Sequence, residues 1–135
     1  MKKILVVEDD AKIAAALAIR LEAAGYSVST APDGVAGLKL AVEQKPDLLL
    51  MDIWMPVGLG FSVVQRLKSL GLSGIPFIFI TASRARGLKK AAEALGAVAF
   101  FEKPYDPQAL LAAVADALKS NADATPEQCE ANAGI

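Results

Sequence analysis

There is no histidine anywhere in the 135 residues. That absence removes Ser–His and Cys–His nucleophile pairs, zinc held by imidazole, and a phosphohistidine carried on the chain itself. Whatever chemistry the chain performs runs on carboxylates, hydroxyls and lysine. Cysteine occurs once, at Cys129. It cannot close an internal disulfide, which fits a reducing cytosol and a cytoplasmic location. No apolar run approaches the roughly 20 residues of a membrane helix, so no membrane partner is expected. The opening Met1-Lys2-Lys3-Ile4-Leu5-Val6-Val7 starts like a signal peptide, but acids follow before an apolar region develops. Net positive charge is also lacking: 14 Lys and Arg against 15 Asp and Glu leave −1, so no global field holds nucleic acid directly. The phosphate-cradling fingerprints Gly-x-Gly-x-x-Gly and Gly-x4-Gly-Lys-Ser/Thr are missing too.

What remains is the composition of a globular protein, 54% hydrophobic and 21% charged, with the length of one domain. Five strand-like runs, Ile4–Val7, Ser27–Thr30, Leu48–Met51, Phe77–Ile80 and Val98–Phe101, alternate with five helix-like segments. Four of the runs are continuously apolar, as in parallel strands covered on both faces. The second, around Ser27-Val28-Ser29-Thr30, alternates and therefore reads as an edge strand. Ile13, Leu17 and Leu21 recur at helical spacing, as do Leu110, Leu111, Val114 and Leu118. Asp106-Pro107 reads as an N-cap followed by proline at the first helical position. Lys45-Pro46, Gly25, Gly71 and Gly96 sit where helices should end. Repeated βα units predict a three-layer α/β sandwich around an open parallel sheet, since five units are too few for an eight-stranded barrel. The domain is expected over 1–119, with 120–135 a disordered polar tail lacking periodicity.

Ligands in open α/β sheets bind outside the carboxyl ends of the strands. The first strand ends in Glu8-Asp9-Asp10, the third in Asp52, the fourth in Thr81 and the fifth in Lys103-Pro104. Acids, a hydroxyl and an ammonium thus converge on one rim. Two unit charges 4 Å apart repel by about 4 kcal/mol at an effective dielectric near 20, so gathered carboxylates are strained and titrate as a coupled set. A hard divalent cation relieves this, and an all-oxygen site with few protein ligands suits Mg²⁺. Metal, lysine and hydroxyl together can cradle the oxygens of a transferring phosphoryl group, and a carboxylate is a competent nucleophile for it. Blander roles compete residue by residue: Asp10 as a helix N-cap, Lys103 as a solvated or ion-paired side chain. The set as a whole favours the site.

The motifs Ile4-Leu5-Val6-Val7-Glu8-Asp9-Asp10, Pro46 through Pro56 around Asp52, Ile80-Thr81-Ala82 and Lys103-Pro104-Tyr105 resemble the receiver domain of two-component response regulators, of the stand-alone type. The resemblance covers about Lys2 to Leu118. It implies a flavodoxin-like (βα)5 fold with a five-stranded parallel sheet in the order 2-1-3-4-5. It implies that Asp52 is the phosphoacceptor, with Thr81 bonding the phosphoryl oxygen and Lys103 pairing with it. The metal, Mg²⁺ or alternatively Mn²⁺, would be held by Glu8 through water, by Asp9 and Asp52 directly, and by the backbone carbonyl of Trp54. A switch would couple Thr81 to Phe100, three residues before the lysine; a plain core role for Phe100 is the alternative. The Lys103–Pro104 bond would be cis.

The same resemblance implies a histidine kinase or histidine phosphotransfer protein as donor, a downstream protein target, and a monomer or weak dimer. Its chemistry would be self-catalysed phosphoryl transfer and autodephosphorylation rather than enzymatic turnover. The competing reading is a receiver-like interaction module that is not phosphorylated; it normally goes with loss of Asp52, Asp9 or Lys103, all present here. A hydrolase with an Asp nucleophile wants a second Asp where Trp54 stands, and an acidic first loop would repel a flavin phosphate. Two departures stand out. Val57-Gly58-Leu59-Gly60 replaces the Asp-Gly pair usual in the family, and Leu59 forfeits a preferred N-cap worth roughly 1 kcal/mol. The run from Arg84 to Lys90 loads positive charge against a helix dipole; it is either a solvated face or, through Arg84 and Arg86, an attractor for an acidic donor or partner. Trp54, the single tryptophan, reads as a partner contact, a lid or an ordinary half-buried aromatic.

Overall fold

The computed structural model describes residues 1–53, 60–82 and 87–123. Five strands, β1 (Lys3–Val7), β2 (Ser27–Ala31), β3 (Leu48–Asp52), β4 (Phe77–Thr81) and β5 (Ala99–Glu102), alternate with five helices among these residues. The helices are α1 (Ala11–Ala23), α2 (Gly34–Gln44), α3 (Gly60–Ser69), α4 (Leu88–Leu95) and α5 (Pro107–Asp123). All strand pairings are parallel and the order is β2-β1-β3-β4-β5. Both the three-layer architecture and the edge position of β2 are as expected. No helix among the described residues is long and apolar enough to cross a membrane.

Side chains of a strand alternate between faces, and the apolar runs serve both. Ile4, Val6, Leu48, Leu50, Ile78 and Ile80 pack on one face against Leu17 and Leu21 of α1 and Leu110, Val114 and Leu118 of α5. Leu5, Val7, Leu49, Met51, Phe77 and Phe79 pack on the other against Ala41 of α2, Val63, Val64 and Leu67 of α3, and Ala92 of α4. Each fully buried Leu, Ile or Phe side chain contributes about 1.5–3 kcal/mol, so β1, β3 and β4, covered on both sides, anchor the domain.

The helix ends follow the expected chemistry. Pro107 opens α5, and the Asp106 carboxylate accepts the Gln108 N–H at 3.0 Å. Asp10 caps α1 in the same way, accepting from Lys12 N–H at 2.9 Å and Ile13 N–H at 3.2 Å. Lys45, at φ 47°, ends α2 just before Pro46. Asp33 caps the start of α2 by accepting the Ala36 N–H at 2.8 Å, a cap that sequence reasoning passed over.

Two expectations are corrected. The last strand begins at Ala99 rather than Val98 and is half-buried rather than covered on both faces, because β5 is the second edge of the sheet. Val98 itself is 52% exposed. In addition, α5 continues to Asp123, past the boundary expected at Lys119. A formed helix adds a backbone hydrogen bond with each further residue and needs no apolar periodicity to do so. The remainder of the expected tail, 124–135, lies outside the described residues.

Gly37 shows how closely α2 sits on the sheet. A Cβ there would lie 2.8 and 3.0 Å from the two methyl carbons of the buried Val7. On an exposed helix face Gly→Ala stabilises by about 1 kcal/mol. Here the sign should reverse: Gly37→Ala is expected to destabilise by about 1–2 kcal/mol in urea unfolding, as overpacking does. A more stable variant would show that α2 can lift off β1 without loss.

Candidate functional site

The register of the sheet assembles the site. Val7 pairs with Met51 and Asp52 with Ile80, so Glu8, Asp52 and the end of β4 come out level. Thr81 pairs with Glu102, and its carbonyl accepts the Lys103 N–H at 2.8 Å, which fixes the start of the loop after β5. The alternation that sorts the core also sorts the polar groups. Glu8 continues the row Ile4–Val6, Asp52 the row Leu48–Leu50, and Lys103 the row Ala99–Phe101, all on the α1/α5 face. Thr81 ends the strand that carries Phe77 and Phe79, and Phe100 packs with those two on the α2–α4 face.

On the first face the three charged side chains meet. The Lys103 ammonium donates to Glu8 Oε2 at 3.0 Å and to Asp52 Oδ2 at 3.1 Å. Glu8 is 4% exposed and Asp52 is 6%. The other oxygen of Glu8, Oε1, accepts the Asp10 N–H at 3.3 Å. Carboxylate oxygens of Glu8, Asp9 and Asp52 all lie within 4.8 Å of one another, with Asp9 at the exposed mouth. Such a donor set is all oxygen and strongly anionic, and it offers few protein ligands, which fits a hard divalent ion that keeps several waters.

Burial is what strains this cluster most. It pushes the Glu8 carboxyl from 4.5 up to about 7, against the hydrogen bond and charge of Lys103, with Asp52 pushing the same way as burial. Burial alone would lower Lys103, but its bonds to Glu8 and Asp52 outweigh that, and its pKa stands above the ordinary value. The Lys103–Pro104 peptide bond is cis, as the resemblance implied. Two residues beyond the lysine, Tyr105 packs edge-on against Phe101 with ring centroids 6.1 Å apart. Beside Lys103 runs a groove of about 480 Å³, lined by Ile13, Leu17 and Arg20 of α1 and by Pro104, Tyr105 and Pro107.

Thr81 is completely buried at the end of β4. Phe100 is half-buried and packs against the cluster that contains Phe79. The structure therefore brings together Glu8, Asp9, Asp52 and Lys103, with Thr81 buried at the end of the neighbouring strand β4 and Phe100 packed in the cluster on the α2–α4 face. Trp54, Leu59, Arg84 and Arg86 lie outside the described residues. Sequence reasoning missed the direct Glu8–Lys103 bond and the Asp10 N–H that holds the other oxygen of Glu8.

The model of the response regulator receiver domain matches residues 4–115 of this chain. The chain belongs to the receiver-domain family. This receiver domain is 38% identical over 128 residues to the DNA-binding dual master transcriptional regulator RpaA of Synechocystis, covering 94% of this chain and 53% of that protein. It is 37% identical over 125 residues to the alkaline phosphatase synthesis transcriptional regulatory protein PhoP of Bacillus subtilis, covering 93% and 52% respectively. The chain thus spans about half the length of these curated relatives. Among solved structures it is similar to the chemotaxis protein CheY4 of Vibrio cholerae, with a TM-score of 0.80 and 31% identity over 87% of this chain and 99% of that one. A CheY-like receiver domain from Methanospirillum hungatei superposes with a TM-score of 0.84 at 28% identity, over 90% and 96%. The family's role is that of a phosphoacceptor module in two-component signalling, interacting with histidine kinases and downstream effectors, and its members bind Mg²⁺ at an acidic pocket.

The raised pKa of Glu8 carries a definite pH dependence. Between 4.5 and about 7 the unfolded chain has released this proton while the folded, metal-free domain keeps it. The Glu8 contribution therefore disfavours folding increasingly as pH rises through that window and levels off above it. Urea unfolding in chelator should show wild type losing about 2–3 kcal/mol relative to Glu8→Gln between pH 4.5 and pH 8. A constant difference between the two proteins would mean that Glu8 titrates normally.

Proposed function

We propose that Asp52 is the phosphoacceptor, taking a phosphoryl group from a histidine kinase or a histidine phosphotransfer protein in a Mg²⁺-dependent reaction. The observation that carries this reading is the cluster itself: three carboxylates within 4.8 Å of one another and a lysine 3.1 Å from Asp52. Glu8, Asp9 and Asp52 would hold the ion, with the Trp54 carbonyl as the ligand that the family resemblance adds. When bound, the ion neutralises charge on the carboxylates and on the phosphoryl oxygens.

The chain's own residues supply the rest. An oxygen of Asp52 attacks phosphorus, the bond from phosphorus to the donor imidazole nitrogen breaks, and that nitrogen keeps the electron pair. Lys103 is already on Asp52 and follows the charge onto the phosphoryl oxygens. Thr81 donates its hydroxyl to one of those oxygens. Little covalent work is left for the protein in such a transfer; holding reactants in line and neutralising charge supply most of the acceleration. The apolar groove beside Lys103 offers the donor a surface next to the reacting oxygen.

Output runs through the other face of the sheet. Thr81 moving toward phosphate leaves its place beside the Phe79–Phe100 row, and the Phe100 rotamer population shifts with it. Phenylalanine has no hydroxyl, so this switching works through packing. The downstream target is a protein, the domain acts as a monomer or weak dimer in the cytoplasm, and it makes no nucleic-acid contact of its own. Autodephosphorylation at Asp52 resets it, without turnover of a separate substrate.

Intact-mass analysis after incubation with a small acyl phosphate tests the assignment. Wild type should gain one phosphoryl mass with Mg²⁺ and almost none in chelator, and Asp52→Asn should gain none. Equal labelling of wild type and Asp52→Asn would reject Asp52 as the acceptor, and the absence of labelling in both would favour an unphosphorylated interaction module.

A further inference from the structure

At the end of the sheet remote from the acids, the loops that lead into β4 and β5 leave a groove of about 610 Å³. Its apolar walls are Ile75, Pro76 and Phe77 around the start of β4, Leu95 at the end of α4, Val98 just before β5, and Ala117 of α5. Val98 is 52% exposed, yet its N–H is bonded to the Phe77 carbonyl at 2.9 Å. It is therefore an apolar surface left in water on a backbone that the sheet holds in place. Two glycines keep the groove open. Where a Cβ would stand at Gly74 nothing lies within 4 Å, and at Gly96 the atom met is the Lys68 Nζ, at 4.0 Å.

One cation stands in this lining and no acid does. Lys68 of α3 donates to the Leu95 carbonyl at the last residue of α4, where the helix dipole favours positive charge. That bond uses one of the three ammonium donors and holds the charge at the groove wall. Lys68 makes no ion pair with a carboxylate among the described residues. We propose that the groove is a binding site for a small organic acid with an apolar body of about eight carbons. Its carboxylate would lie on Lys68 and its body on Ile75, Val98 and Ala117.

Small-molecule sites have volumes of about 300–1,000 Å³ and combine apolar walls with a few placed polar groups, and this groove has both features. An apolar body displaces water from walls that folding left wet. A neutral ligand makes the same apolar contact but leaves the ammonium to solvent, and a cationic ligand meets Lys68 as a like charge. A second carboxylate on the ligand would find no further cation in the lining. The site lies apart from Asp52 and its neighbours, so it stands independently of phosphorylation there.

Amide shifts in proton–nitrogen NMR spectra of the full chain, titrated with octanoate and in parallel with octanamide, test the site. Octanoate should bind saturably with a Kd of about 1 mM. The shifts should centre on Ser73–Phe77 and Leu95–Val98, and octanamide should bind about fivefold more weakly. Lys68→Met should erase the preference for the acid. Gly74 has no left-handed φ, so Gly74→Leu should fill the groove without backbone strain and block both ligands. Thermal unfolding checks that each variant is folded; if Gly74→Leu is not, Val98→Ser takes its place and should weaken both ligands. Equal binding of the two ligands by wild type, or an unchanged preference in Lys68→Met, would overturn the assignment of an acid. Binding that survives Gly74→Leu, shifts confined to the groove beside Lys103, or no saturable shift at all would overturn the site.

Discussion

Like charges repel, and this domain gathers three carboxylates at the end of its sheet, two of them buried and one at the exposed mouth. Glu8, Asp9 and Asp52 sit within 4.8 Å of one another because the strands that carry them are adjacent and in register. The repulsion is contained by one tethered cation, Lys103, and by the protonation that burial encourages at Glu8. The hydrophobic core holds the strands in register against it. The apolar faces of β1 and β3 thereby fix the charges in a strained arrangement that a cation can relieve.

The proposed switch residues lie on a different strand pair from the acids. Glu8 follows the end of β1 and Asp52 ends β3, while Thr81 ends β4 and Phe100 of β5 packs in the cluster on the α2–α4 face. The ends of β4 and β5 are tied where the Thr81 carbonyl takes the Lys103 N–H at 2.8 Å.

Much of this was legible in the sequence, for physical reasons that can be named. Continuous apolar runs marked β1, β3 and β4 because a strand covered on both faces cannot tolerate polar positions. Asp106-Pro107 and Gly96 marked helix ends because capping needs those residue types. The strand ends then gave the rim and its acids. The last strand was misjudged because an edge strand can be as apolar as a central one, and composition does not report which neighbours are missing. Gly37 carried no signal at all, since its role comes from the approach of Val7, 30 positions earlier in the chain. The Glu8–Lys103 bond was missed for a related reason: the partners are 95 residues apart, and their meeting depends on side-chain length and rotamer rather than on motif.

The central claim is spatial: one ion can be held by carboxylates that come from two different strand ends. Anomalous diffraction at the manganese edge from crystals soaked in Mn²⁺ measures this directly. The account predicts one dominant peak, bounded by Glu8, Asp9 and Asp52, with the Lys103 ammonium on its inner side. A peak elsewhere on the surface, with those three carboxylates turned away from a common centre, would contradict it.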